Sequence, residues 1–224
     1  MDEADLLPCV EIDPAVEPRA AVIWLHGLGA DGHDFEPIVP HLAIPAEAGV
    51  RFVFPTAPAI PVTLNMCMVM PAWYDIRQLD LKKEHDEAGI RTSAERVEAL
   101  LRREVERGIP AERVVLAGFS QGGAVALHLA LRHPARLAGL LLLSTYLILP
   151  DALASERHTA NDDVPVFQAH GIHDPMVPLA RGEDARDRLR AAGYDVTWKT
   201  YPIQHEVSLD EILEVGRWIS ERLA

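Results

Sequence analysis

Residues 113–131 read RVVLAGFSQGGAVALHLAL, and this stretch decides the fold. RVVLA at 113–117 is a short apolar run of the kind a parallel sheet buries on both faces. A helical stretch is expected at 121–132. Between them Gly118-Phe119-Ser120-Gln121-Gly122 fits G-x-S-x-G. A serine at a tight strand-to-helix turn projects its oxygen from the sheet, and flanking glycines let the backbone pass close to neighbouring elements. The helix N-terminus behind Ser120 favours developing negative charge.

Working outward, further strands are expected at 19–25 (RAAVIWL), 50–54 (VRFVF), 137–143 (LAGLLLL), 164–169 (VPVFQA) and 194–201 (YDVTWKTY). Helices are expected around 35–42, 179–191 and 207–222. Another should open on a Thr92–Glu95 capping box, carry Val97, Leu100, Leu101 and Val105, and close at Gly108 and Pro110. This βαβα order predicts an α/β fold with a mostly parallel central sheet and helices on both faces. At 224 residues, with no composition break, residues 1–224 read as one domain, 1–18 being an N-terminal extension. Two long segments, 55–85 and 144–163, carry no regular pattern and offer material for a substrate pocket.

Composition excludes several classes. Thirty-four acidic residues against 21 basic ones give a net charge of -13, which repels nucleic acid and anionic membrane surfaces. The acidic start MDEADLLPCV has no signal-peptide pattern, and no apolar run reaches spanning length, so a cytoplasmic protein without stable membrane insertion is expected. Cys9 and Cys67 cannot build a disulfide framework and lack basic flanks that would activate a thiol. The charged runs at 82–87 and 102–107 read as solvated faces.

A serine hydroxyl needs a base to take its proton, and on a fold of this type the acid and the histidine follow the serine in the chain. Ligands bind at the carboxyl ends of parallel strands, which separates the candidate acids. Asp162 and Asp163 precede the strand at 164–169 and fall at the wrong end, whereas Asp174 follows it. After Asp174 the sequence holds a single histidine, His205, just beyond the last strand. Catalytic Ser120, Asp174 and His205 are therefore expected. A metal site at His170, His173 and Asp174 is the competing reading, but that spacing matches no standard zinc pattern.

Backbone donors for an oxyanion are expected at Gln121, which follows the serine, and at Leu28 in the Gly-flanked loop His26-Gly27-Leu28-Gly29. His26 precedes the serine and reads as a structural hydrogen-bonding residue. The same loop, Gly27-Leu28-Gly29-Ala30-Asp31-Gly32, spells the dinucleotide fingerprint G-x-G-x-x-G. That fingerprint requires an acid at the end of the next strand, where this chain has Phe54-Pro55-Thr56.

The blocks WLHGLGADGHDF, PVTLNMCMVMPAWYDI, GFSQGG, HGIHDPMVP and YPIQHEV, in order from about residue 19 to the C-terminus, resemble the phospholipase/carboxylesterase family, which includes bacterial carboxylesterases and acyl-protein thioesterases. The resemblance implies the α/β-hydrolase fold with no separate cap domain, the triad Ser120, Asp174 and His205, oxyanion donors at Leu28 and Gln121, and neither metal nor organic cofactor. LSTYL after the strand at 137–143 is more similar to the bacterial esterases, and a homodimer is suggested by those relatives alone.

The expected activity is hydrolysis of short- to medium-chain carboxylic esters through an acyl-enzyme. The alternatives are acyl-protein thioesterase or lysophospholipase action, and a catalytically silent binding protein on the same fold. The partner is then a small-molecule ester or thioester, or an acylated protein. Met66, Met68, Met70 and Trp73 form an adaptable apolar set suited to an acyl chain, although packing in the core explains each equally well. Tyr146, Leu147 and Ile148 are placed to close the other side.

Overall fold

The apolar runs assemble into a seven-stranded sheet in the computed structural model, which describes residues 6–78 and 85–223. In chain order the elements are β1 (Cys9–Ile12), β2 (Ala20–Leu25), β3 (Val50–Pro55), β4 (Ala59–Val62), β5 (Met68–Pro71), α1 (Glu87–Glu106), β6 (Val114–Phe119), α2 (Ser120–Ala130), β7 (Gly139–Leu143), α3 (Pro150–Glu156), β8 (Val166–Gly171), α4 (Leu179–Ala191), β9 (Val196–Tyr201) and α5 (Leu209–Leu223). The sheet runs β1-β3-β2-β6-β7-β8-β9. Only β1 is antiparallel to its neighbour in it; the other six strands pair in parallel, with Leu25 beside Gly118 and Phe119 beside Leu143. β4 and β5 form a separate antiparallel hairpin.

Period-two alternation sorts each buried strand between two cores. On β2, Ile23 and Leu25 pack with residues of α1 and α2, including Val97, Leu100 and Leu127. Val22 and Trp24 point the other way, towards Phe35, Leu42, Val215 and Ile219. β2, β3, β6, β7 and β8 are buried along their whole length, which is why their sequences read as continuous apolar runs rather than alternating ones.

Several elements depart from the sequence reading. α1 begins six residues earlier than a Thr92–Glu95 capping box allows, because Asp86 caps it by accepting a hydrogen bond from the Gly89 amide; Thr92 lies inside the helix. The far end is as expected, Gly108 taking the left-handed conformation that ends the helix. Residues 36–42 form a 3₁₀ helix, since Pro37 and Pro40 remove the amides an α-helix would use there. β1 lies within the expected N-terminal extension and adds an edge strand. The segments read as irregular contain the β4–β5 hairpin and the short helix α3. Of the charged run at 82–87, residues 82–84 lie outside the described residues.

The second core depends on close backbone approach between α5 and the turn ending at Leu42. A β-carbon on Gly216 would collide with the Leu42 carbonyl. Since a carbonyl fixed in a packed turn has little freedom to yield, Gly216→Ala should destabilise the protein by about 1–3 kcal/mol despite the better helix propensity of alanine. A lowered thermal midpoint with unchanged secondary structure by circular dichroism is the expected result.

Candidate active site

β6 passes into α2 through Ser120, whose φ is +54°. A side-chain-bearing residue pays a steric cost in this region, so the surroundings must impose it. They do so by packing backbone on backbone. A β-carbon on Gly118 would lie 2.5 Å from the Gly122 carbonyl carbon and the Gly123 nitrogen, and one on Gly122 would lie 2.5 Å from the His26 carbonyl oxygen. Thr145, from the turn after β7, donates to the Ser120 carbonyl at 2.6 Å. The serine is thereby held out at the carboxyl end of the sheet while remaining mostly buried.

The loops after β8 and β9 bring two more groups to that end. His205 Nε2 lies 3.0 Å from Ser120 Oγ, and His205 Nδ1 lies 2.6 Å from Asp174 Oδ2. A carboxylate only accepts, so Nδ1 carries the proton and Nε2 is left to accept from the hydroxyl. The other Asp174 oxygen accepts from the Met176 and Val177 amides, each at 2.8 Å. Burial opposes ionisation of Asp174, but the bonds from His205 and the two amides outweigh it and hold the carboxyl below its ordinary pKa. The Phe119 ring, centred 4.7 Å from the His205 ring, flanks the imidazole. Asp163 pairs with Arg136 and Asp162 with Arg157, both at the other end of β8.

Of the residues weighed as metal ligands, His170 Nε2 lies 3.7 Å from Asp174 Oδ2. His170 is fully buried with Nε2 donating to the Val177 carbonyl at 2.8 Å, and His173 is exposed. Among the described residues no group of three such side chains is arranged to hold a metal ion. His26 donates from Nδ1 to the Gly27 carbonyl and accepts the Ala57 amide at Nε2; burial lowers its pKa and favours this neutral, bridging form. The loop that spells a dinucleotide fingerprint uses its last glycine for another purpose: a β-carbon on Gly32 would strike the Phe54 carbonyl.

A cavity of about 380 Å³ opens beside Ser120 and His205. Leu28, Gln121, Met70, Ile76, Tyr146, Met176 and Val177 line it. Ile76, Met176 and Val177 escaped the sequence reading, although the latter two follow Asp174 almost directly. Partial burial raises the pKa of Asp34, an acidic group on the wall. Met66 lies elsewhere, 85% exposed at the turn of the β4–β5 hairpin, and Met68 is exposed too. Trp73 is buried in the core rather than on the cavity wall, and Ile148 is also a core residue. Of the expected pocket residues, the structure brings Met70 and Tyr146 to the cavity.

Comparison with known proteins agrees with this architecture. A family model described as Phospholipase/Carboxylesterase matches residues 8–222. Acyl-protein thioesterase 1 of Neurospora crassa is 40% identical over 220 residues, covering 94% of this chain and 90% of that protein. The protein of the same name from Gibberella zeae is 39% identical over 218 residues, 93% of each. The crystal structure of Zea mays acyl-protein thioesterase 2 superposes with a TM-score of 0.86 at 27% identity, over 97% of this chain and 99% of that one. The fold is that of the α/β hydrolases. No helix among the described residues is long and apolar enough to cross a membrane.

Three residues past His205 the chain enters α5 through a capping box that the sequence reading did not isolate. Ser208 Oγ accepts from the Glu211 amide at 3.2 Å, and the Ser208 amide reaches back to Glu211 Oε2 at 3.4 Å. Burial of Glu211 pushes its carboxyl up to about 7 from an ordinary 4.5. The folded state therefore holds a proton that the unfolded state has released, and stability falls as pH rises through this window. The loss is on the order of 3 kcal/mol above neutrality. Glu211→Gln should remove most of that slope: denaturation midpoints of variant and parent should be similar near pH 4.5 and diverge above pH 7, the variant being the more stable.

Proposed function

This chain belongs to the phospholipase/carboxylesterase family, and from that membership we propose that it is a serine thioesterase that removes acyl groups from thioester substrates through Ser120, His205 and Asp174. That it hydrolyses esters or thioesters follows from the family and its relatives. The sequence reading put carboxylic esters first; relatives named acyl-protein thioesterase at 39–40% identity over nine-tenths of the chain move the thioester reading ahead.

The observation that carries the catalytic assignment is the continuous hydrogen-bonded line Ser120 Oγ, His205, Asp174, made by residues that follow three different strands. In the proposed first step His205 Nε2 takes the hydroxyl proton as Ser120 Oγ bonds to the acyl carbon. The carbonyl oxygen becomes an oxyanion held by the Leu28 and Gln121 backbone N–H groups. Gln121 is in the first turn of α2, where an amide has no partner within the helix and the helix dipole favours negative charge. The tetrahedral species collapses, the C–S or C–O bond breaks, and His205 hands its proton to the leaving thiol or alcohol. Water then repeats the sequence on the acyl-enzyme, releasing the carboxylic acid and regenerating Ser120. Asp174 keeps the imidazole in the productive tautomer and stabilises its protonated form. The apolar wall of Met70, Ile76 and Tyr146 receives the acyl chain.

Ser120→Ala should lower kcat by about 10³-fold or more on any acyl substrate, with the fold intact by circular dichroism. Asp174→Asn should cost about 10³- to 10⁴-fold, because an amide at this position favours the wrong imidazole tautomer. Wild-type turnover in either would remove the assignment. Matched thioesters and oxygen esters of increasing acyl length test the substrate class: higher kcat/KM on the thioester is expected, and the reverse order would return the reading to a carboxylesterase.

A further inference from the structure

Trp73 is absent from the cavity wall, yet four hydrogen bonds, three of them buried, converge on the segment 71–74 that contains it. The Pro71 carbonyl accepts from the Gly29 amide at 2.8 Å. Trp73 Nε1 donates to the His26 carbonyl at 2.9 Å. The Trp73 amide donates to Gln121 Oε1 at 2.9 Å, and Gln121 Nε2 donates to the Tyr74 carbonyl at 2.8 Å. The first two bonds grip the backbone two residues before Leu28 and one residue after it. The other two grip the side chain of Gln121. One short, buried stretch of backbone is thus fastened to both carriers of the oxyanion donors, which are 93 positions apart in the chain and belong to different elements.

The geometry points to Trp73 and the Gln121 side chain as positioning residues: together they form a brace that sets the spacing and aim of the Leu28 and Gln121 N–H groups. This inference rests on the proposed serine hydrolase reading, in which those two amides receive the oxyanion. The brace is itself backed from outside. Ser93 Oγ donates to the Trp73 carbonyl, the Ala72 amide donates to the Pro58 carbonyl at 3.0 Å, and the Tyr74 hydroxyl meets that of Tyr146 at 2.7 Å. The Pro71, Trp73 and Tyr74 carbonyls, the Ala72 and Trp73 amides, the Trp73 indole and the Tyr74 hydroxyl are all engaged, which is what a part that must hold a distance requires. Donors aimed at a charge that exists only in the transition state contribute only if their positions are set beforehand. A loosened brace therefore weakens the transition state and leaves ground-state binding unchanged.

The test compares Trp73→Phe, which deletes the bond to the His26 carbonyl, with Gln121→Met, which deletes both side-chain bonds while keeping the chain length. The two attack different bonds, so misfolding of one leaves the other to decide, and thermal melts identify any misfolded variant. Kinetics are measured on an acyl ester alongside inhibition by an alkyl boronic acid, whose boron bonds to the serine oxygen in a tetrahedral adduct. The expected result is a fall in kcat of about 10- to 100-fold with KM nearly unchanged, since loss of a single oxyanion donor outright costs more than this. Boronic acid affinity should fall in parallel with kcat. A raised KM with intact kcat, or a kcat loss without weaker boronic acid binding, would overturn the brace. Ser120→Ala, run beside them, separates the two ideas: if it keeps full activity the hydrolase reading itself fails, and the brace with it. If it is inactive while both brace variants match wild type, the brace alone fails.

Discussion

Backbone packed directly on backbone at the start of α2 is the constraint on which the rest of this molecule depends. Gly118, Gly122 and Gly123 let the turn after β6 close against itself, against the His26 carbonyl and against Thr145. With those contacts made, Ser120 has no relaxed conformation available and adopts its left-handed φ. The loops after β2, β7, β8 and β9 then arrange themselves around it at the carboxyl end of the sheet. A side chain on Gly122 would push α2 away from the end of β2, one on Gly118 would part β6 from α2, and one on Gly123 would strike Gly118 and Thr145.

The parts of this arrangement that were legible in the sequence are those whose signal is local or follows from chain direction. The buried strands announced themselves as apolar runs because both faces are covered. Asp174 could be told from Asp162 and Asp163 because strand direction alone decides which end of β8 each occupies, and the structure puts the latter two in surface ion pairs. Boundaries were legible only where one residue type dominates, as at Gly108; Asp86 outcompeted Thr92 as a cap because the buried stripe of α1 begins at Ile90 and the helix extends upstream to use it.

What escaped is what depends on tertiary contact. β4 and β5 are short, include prolines, and turn at positive φ through Met66 and Cys67, positions where a hairpin signal would have Asn or Gly. Trp73 looked like pocket material because large apolar residues suit both a cavity and a core; only the hydrogen bonds at its amide and indole nitrogen show which role it takes. The Ser208–Glu211 box was present in the letters, but a buried carboxyl raised towards neutrality is a property of the packing around it.

The left-handed backbone at Ser120 has an evolutionary consequence. Holding a residue with a β-carbon in this region costs on the order of 1–3 kcal/mol, and glycine would occupy it without that cost. The substitution that would most relax this turn is therefore one that deletes the hydroxyl. Stability and reactivity are opposed at a single position, and a lineage under pressure for a more robust scaffold must find its gains elsewhere, in the second core or the outer helices, for as long as the serine is needed.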